Sequence, residues 1–182
     1  MTTPACEPRD ARETDIAAVQ AIYAHHVLHG LGSFEHEPPP AEEMADRRRV
    51  IVDRGLPYLV AVGSDSGVLG FAYAAPYRAR PAYRSTVEES VYVAPAALRR
   101  GVGRALLDEV VRRCVAAGAR QMVAVIGDSG NRGSVALHAA AGFREVGVLR
   151  AVGWKHGRWV DTVIMQRELG EGDGAAPHTD VS

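Results

Sequence analysis

The stretch Leu-Arg-Arg-Gly-Val-Gly-Arg-Ala-Leu-Leu at 98–107 sets Gly101 and Gly103 where a strand pattern gives way to a helical one, with Arg99, Arg100 and Arg104 beside them. A helix start presents main-chain N–H groups without partners and the positive end of its dipole, so it favours phosphate. Glycine at such a turn lets the backbone approach the anion closely. A dinucleotide fingerprint requires a third glycine where Leu106 stands, and a P-loop requires a lysine that the stretch lacks. A nest for the diphosphate of coenzyme A needs only Gly-x-Gly running into the helix. A plain strand-to-helix turn without ligand competes with it, because one glycine pair is a weak motif.

Upstream, Thr-Val-Glu-Glu-Ser-Val-Tyr-Val at 86–93 alternates as a strand. Thr86, Glu88, Ser90 and Tyr92 share one face, and Val87, Glu89, Val91 and Val93 share the other. A polar row on a strand between core elements lines a cleft, and Glu88 in that row can take a proton from an amine. Glu89 is expected to point away and serve as the control. A salt bridge from Glu88 to an arginine of the preceding loop is the structural alternative. His25 and His29 are four apart on a helical pattern, but no third ligand has a matching spacing, so no metal site is expected.

These residues need elements to hold them. Asp15, after Thr14, reads as a helix N-cap, and Ile16, Val19, Ile22, Tyr23 and Val27 repeat at helical spacing. The Pro run at 38–40 leads into a charged helix near 41–53. Strands are expected at 58–62 and 68–75 around the turn Gly-Ser-Asp-Ser-Gly, and at 86–93. A helix from 103 buries Val102, Leu106, Leu107, Val110, Val111 and Cys114 and stops at Gly118. A strand at 121–126, a helix at 134–141, and strands at 143–150 and 159–168 follow, the last two joined by Ala-Val-Gly-Trp-Lys-His-Gly-Arg. The order is strand, two helices, three strands, helix, strand, helix, two strands: an α/β mixed sheet with one crossover at its centre. One domain is expected over 1–169, frayed at 1–5, with residues 170–182 as a disordered tail.

Composition excludes several partners. The 182 residues carry a net charge of −1 with 24% charged side chains, so no global field favours nucleic acid or an anionic membrane. The Arg run at 47–49 sits among Glu42, Glu43, Asp46 and Asp53, as on a solvated ion-paired face. No apolar run approaches the length of a membrane span, and two cysteines make no disulfide framework. A reduced, cytoplasmic protein is expected.

The glycine turn resembles motif A of the GNAT acetyltransferase superfamily, Gln/Arg-x-x-Gly-x-Gly/Ala, with Leu98 where glutamine or arginine is usual. Asn-Arg-Gly-Ser-Val-Ala-Leu-His-Ala-Ala-Ala-Gly-Phe at 131–143 resembles the superfamily's later helix, with His138 in a position often held by tyrosine. Across residues 7 to 169 the stretches at 32–39, 77–93, 122–143 and 150–167 look like the phosphinothricin N-acetyltransferase branch. The resemblance implies the GNAT fold, with a central, mostly antiparallel sheet, and acetyl-CoA as co-substrate. It also implies a homodimer with active sites near the interface.

By the same resemblance Val91, Tyr92 and Val93 pair with pantetheine, while Arg99, Arg100, Gly101, Val102, Gly103 and Arg104 hold the diphosphate. Asn131 meets the coenzyme arm or simply caps its helix. Glu88 is the base. His138 protonates the leaving thiolate, assists Glu88, or is a buried hydrogen-bonded histidine. Arg78 and Arg80 grip the acidic ends of a small amino-acid-like amine, Tyr77, Tyr83 and Tyr92 wall it in, and Phe34 packs on its side chain. Trp154, Trp159 and Val160 are core or reach a neighbouring subunit. The rival functions are a GNAT acting on a peptide or protein N-terminus or another amine, and a non-catalytic acetyl-CoA-binding module.

Overall fold

A computed structural model describes residues 6–64 and 66–177. Residues 1–5, where fraying is expected, Asp65 and the last five positions lie outside them. The elements are β1 (Glu7–Asp10), α1 (Ile16–His29), α2 (Ala41–Val52), β2 (Tyr58–Val62), β3 (Val68–Pro76), β4 (Thr86–Val93), α3 (Val102–Ala116), β5 (Gln121–Gly127), α4 (Arg132–Ala140), β6 (Arg144–Lys155) and β7 (Arg158–Glu168).

They build a seven-stranded sheet in the order β1-β2-β3-β4-β5-β7-β6. The β4–β5 pair is parallel and the other neighbours are antiparallel, so α3 is the central crossover. Strand alternation sends Tyr58, Val60 and Phe71 to one face, under Val19, Ile22, Tyr23 and Val27 of α1 and Met44 and Ile51 of α2. Leu59, Ala61, Ala72 and Val87 face the other way, onto Val102, Leu106, Leu107 and Val110 of α3. Each leucine of that stripe is fully buried and stabilises the fold by about 1.5–3 kcal/mol relative to exposure.

Local chemistry explains most boundaries. α3 ends in a Schellman turn: Ala119 N–H donates to Cys114 O (3.0 Å), Gly118 N–H donates to Val115 O (3.0 Å), and Gly118 has φ +82°. Asp15 does not cap α1. Its carboxylate accepts from Arg12 N–H (2.7 Å) and from the Arg9 guanidinium (2.6 and 2.9 Å), because a short 3-10 turn over Glu13–Asp15 precedes the helix. The connection expected at 151–158 is mostly strand. β6 bulges between Leu149 and Gly153, then turns tightly at His156 and Gly157, whose positive φ values of 48° and 74° suit a two-residue hairpin. Part of the expected tail folds back: Gly172 N–H donates to Leu169 O (2.9 Å), and Arg120 pairs with Glu171 (2.9 Å). Among the described residues no helix is long and apolar enough to cross a membrane.

Candidate active site

The central parallel ladder is short. β4 and β5 pair from Thr86↔Gln121 to Glu89↔Ala124 and then part, although each strand runs three or four residues further. Main-chain direction in the fork follows from parity. Ala94 N–H donates to Leu69 O (2.9 Å) and Thr86 O accepts from Tyr77 N–H (3.2 Å), so even-numbered groups of β4 point to β3. Ser85 O accepts from Gln121 N–H (3.2 Å), so odd-numbered groups point to β5. Val91 and Val93 therefore direct their amides into the fork, where no strand stands opposite. Val93 O is taken by His26 Nε2–H at 2.9 Å. Val91 N–H, Val91 C=O and Val93 N–H remain for an extended ligand to pair as an added strand.

The fork is the floor of a cleft of about 710 Å³. His26 and Gly32 line it from the α1 side, Ser134, Leu137 and His138 from α4, so it passes through the sheet. Val91, Tyr92, Val93, Arg99, Gly101, Val102, Gly103, Arg104 and Asn131, all expected at a coenzyme, line it too. Arg100 does not; it is exposed, and its charge opposes the burial that raises the Cys6 thiol pKa. Arg104 donates to Asp108 (2.6 Å) and to Ala140 O (2.8 Å), fastening α3 to α4 at the rim. Gly101 has φ +81°, which opens the turn before α3. At Gly103 a Cβ would press on Leu137 and Val93, at 3.2 and 3.4 Å, so this glycine sets how near α3 comes to the fork. Asn131 Oδ1 accepts from Ser134 N–H (3.2 Å) and caps α4 while also lining the cleft.

The two glutamates part as strand alternation requires. Glu88 projects to the α1–α2 face, half-buried, and burial raises its pKa while nearby Arg78 lowers it and Glu89 raises it. The loop at 77–85 stands next to it. Arg78 lies over the Tyr77 ring at 4.8 Å and Tyr77 meets Tyr83 edge-on at 5.6 Å; Arg80 O accepts from Tyr83 N–H (2.9 Å), while its guanidinium has no hydrogen-bond partner among the described residues. Phe34 is wedged at Gly127 and Gly153, where the Cβ of any other residue would crowd its ring. Lys155 Nζ donates to Ser33 O at 2.5 Å, so the β6–β7 hairpin and the segment carrying Phe34 are tied together. The Tyr92 ring stacks on Phe71 at 5.1 Å and meets Tyr23 edge-on at 5.0 Å, on the Glu88 side of the strand.

His138 lies elsewhere than an assistant to Glu88 would. It is on the opposite face of the sheet, 3% exposed, and its Nε2 is 2.7 Å from Glu89 Oε1, so that reading is corrected. Glu89 is turned away from Glu88 but is no idle control, since it holds a histidine. Sequence reasoning also missed His26. Its spacing of four from buried Ile22 put it on the inward stripe of α1, whereas His25 and His29 are exposed. A second cavity of about 420 Å³ lies under α2, walled by Tyr58, Phe71 and Tyr73 and rimmed by Arg47. Among the described residues no three potential metal ligands gather.

Residues 19–143 match the Acetyltransferase (GNAT) family. The chain is 53% identical to the phosphinothricin N-acetyltransferase of Alcaligenes faecalis, over 95% of its own length and 87% of the relative's. It is 37% identical to the L-methionine sulfoximine/L-methionine sulfone acetyltransferase of Pseudomonas aeruginosa, over 88% of its own length and 93% of the relative's. Among solved structures it resembles a GNAT superfamily phosphinothricin acetyltransferase from Sinorhizobium meliloti in complex with AcCoA. That likeness has a TM-score of 0.94 and 46% identity, covering 97% of this chain and 95% of the other.

Proposed function

Because the chain belongs to the GNAT acetyltransferase family, we propose that it moves an acetyl group from acetyl-CoA to the amine of a small amino-acid-like acceptor, of the phosphinothricin or methionine sulfoximine/sulfone type. The observation that carries this reading is the fork beyond Glu89 and Ala124, opening directly onto the glycine-led start of α3. An extended arm paired with Val91 and Val93 would bring its diphosphate to the N–H groups of Val102, Gly103 and Arg104, with Arg99 adding charge. Asn131 lines the same channel and bonds the arm. The residues present thus fit acetyl-CoA, which enters as a substrate.

Acetyl transfer needs a free amine, a polarised carbonyl, a protonated leaving thiolate and both substrates in line. A thioester lying in a fork that passes through the sheet is reachable from both faces. Glu88 approaches from the α1–α2 face and takes the ammonium proton, directly or through water. His138 approaches from the α4 face and supplies the proton to sulfur. The acceptor sits on the Glu88 side, its acidic ends at Arg78 and Arg80, with Tyr77, Tyr83, Tyr92 and Phe34 around its apolar part. Its geometry at Glu88 favours a compact zwitterion over a polyamine, which would meet two arginines. The homodimer belongs to this reading too: Trp154 and Trp159 are 53% and 63% exposed on the β6–β7 hairpin, whereas Val160 is core. So does a cytoplasmic setting.

Thiol release from acetyl-CoA, followed over a panel of phosphinothricin, methionine sulfoximine, methionine sulfone, a polyamine and a short peptide, tests the assignment. Turnover confined to the first three is expected. Coenzyme binding with no thiol release from any amine would turn the reading into a coenzyme-binding module.

A further inference from the structure

We propose that Glu89 is a positioning residue, acting through His138 to hold the proton that the departing thiolate takes. The inference rests on the acetyl-transfer reading above and adds to it a residue on the coenzyme side of the sheet. The pair sits at the vertex of the fork, since Glu89 is the last residue of β4 with a partner on β5. Both residues line the cleft, and their side chains are only 2% and 3% exposed.

The hydrogen bonds fix where the proton is. His138 Nδ1 is 2.7 Å from Ser134 O, a carbonyl that only accepts, so Nδ1 carries a hydrogen. Between Nε2 and Glu89 Oε1, 2.7 Å apart, one further proton is shared. A carboxylate there makes the ring an imidazolium. Glu89 Oε2 is buried with no hydrogen-bond partner among the described residues, so the carboxylate leans on His138 alone. The other groups facing the pair add no competing cation. On its own face of the sheet the pair meets the Cys114 thiol of α3 and the Phe143 ring, edge-on to His138 at 5.2 Å, while Glu88 and Tyr92 lie on the other face of β4 and feel Glu89 only through its charge. Burial lowers the His138 pKa, but the hydrogen bond and charge of Glu89 and the Ser134 carbonyl outweigh it, and the net shift is upward.

The step balances. The acetyl C–S bond breaks, its electron pair stays on sulfur, and the proton shared between His138 Nε2 and Glu89 Oε1 passes to that sulfur as the hydrogen bond to Glu89 gives way. The pair is left as neutral imidazole and carboxylate, and reloads from solvent as products leave. Of the two protons lost by the ammonium in forming the amide, the net result is one on the thiol and one released.

Two measurements decide it. In wild-type enzyme the His138 imidazole, assigned by its loss in His138→Gln, should titrate by NMR above the ordinary histidine value; titration at or below that value overturns the proposal whatever the activity. In Glu89→Gln the alkaline limb of kcat should move to lower pH by about one unit or more, with the KM for acetyl-CoA little changed. Glu89→Asp should keep the limb near its wild-type position. A Glu89→Gln enzyme whose limb does not move, or whose defect lies wholly in KM or melting temperature, shows a merely structural pair and sinks the inference. Failure of the acetyl-transfer reading looks different: wild type itself would release no thiol.

Discussion

Glu88 and Glu89 are adjacent in the chain and separated by the sheet. Strand alternation sends the two carboxyls to opposite faces, and in the proposed mechanism one serves the acceptor side and the other the coenzyme side. Glu88→Gln keeps the shape and removes the base, and turnover should fall roughly 10²–10⁴-fold with modest change in acetyl-CoA affinity. Near-normal turnover in steady-state assays would remove Glu88 from the mechanism. Its titration has a definite sign. The base form works, so activity rises with pH through the Glu88 pKa, which burial raises above the ordinary glutamate range. Arg78 opposes that shift, so Arg78→Ala should carry the acid limb of kcat/KM to higher pH, less so at high salt because Arg78 is exposed. A limb that stays put would separate the loop from the base.

At the scale of elements, the site is the place where a sheet stops being a sheet. β4 and β5 part after four paired residues each, and α3 and α4 close over the gap. Gly103 allows that closure. Gly103→Val should destabilise the fold by about 1–3 kcal/mol in denaturant titrations, by overpacking against Leu137 and Val93. It should weaken acetyl-CoA binding further, because the first turn of α3 is pushed out; unchanged affinity and stability would mean that the elements are not this close. α3 is also braced along its outer face. Hydrogen bonds from Arg112 first, and from Arg113 as well, outweigh burial and hold the Glu109 carboxyl down at about 2. A carboxylate with a depressed pKa contributes stability above its unfolded value and loses it as pH falls through the folded one. The pair is near the surface, so Glu109→Gln should cost no more than about 1 kcal/mol at neutral pH.

The whole molecule shows one feature that a lone chain does not explain. Val146, Leu149, Val152, Trp154 and Trp159 are exposed along the β6–β7 hairpin. An exposed apolar strip of this kind on an edge hairpin is the surface that the proposed homodimer would cover. The hairpin also reaches the Phe34 segment through Lys155 and Gly153, so packing there is coupled to the acceptor side. Trp159→Glu should therefore shift the protein to monomer in sedimentation velocity and raise the acceptor KM more than the acetyl-CoA KM. A wild-type protein that sediments as a monomer at micromolar concentration would contradict the dimer.

Much of this was legible in the chain before any coordinates. The stripe Val102, Leu106, Leu107, Val110, Val111 and Cys114, the glycine stop at 118, and the strand periods placed the four helices, β2 to β7 and the central crossover, though not β1 or the full length of β6, because local spacing and turn chemistry are written in neighbouring residues. The phosphate-seeking turn and the face of Glu88 followed from the same local rules. The Glu89–His138 pair, 49 residues apart in sequence, did not. Nor did His26 on Val93 O, the absence of Arg100 from the cleft, or the parting of β4 from β5. Each depends on which elements end side by side. That is decided by packing α3 and α4 on one face and α1 and α2 on the other, and no local period records it.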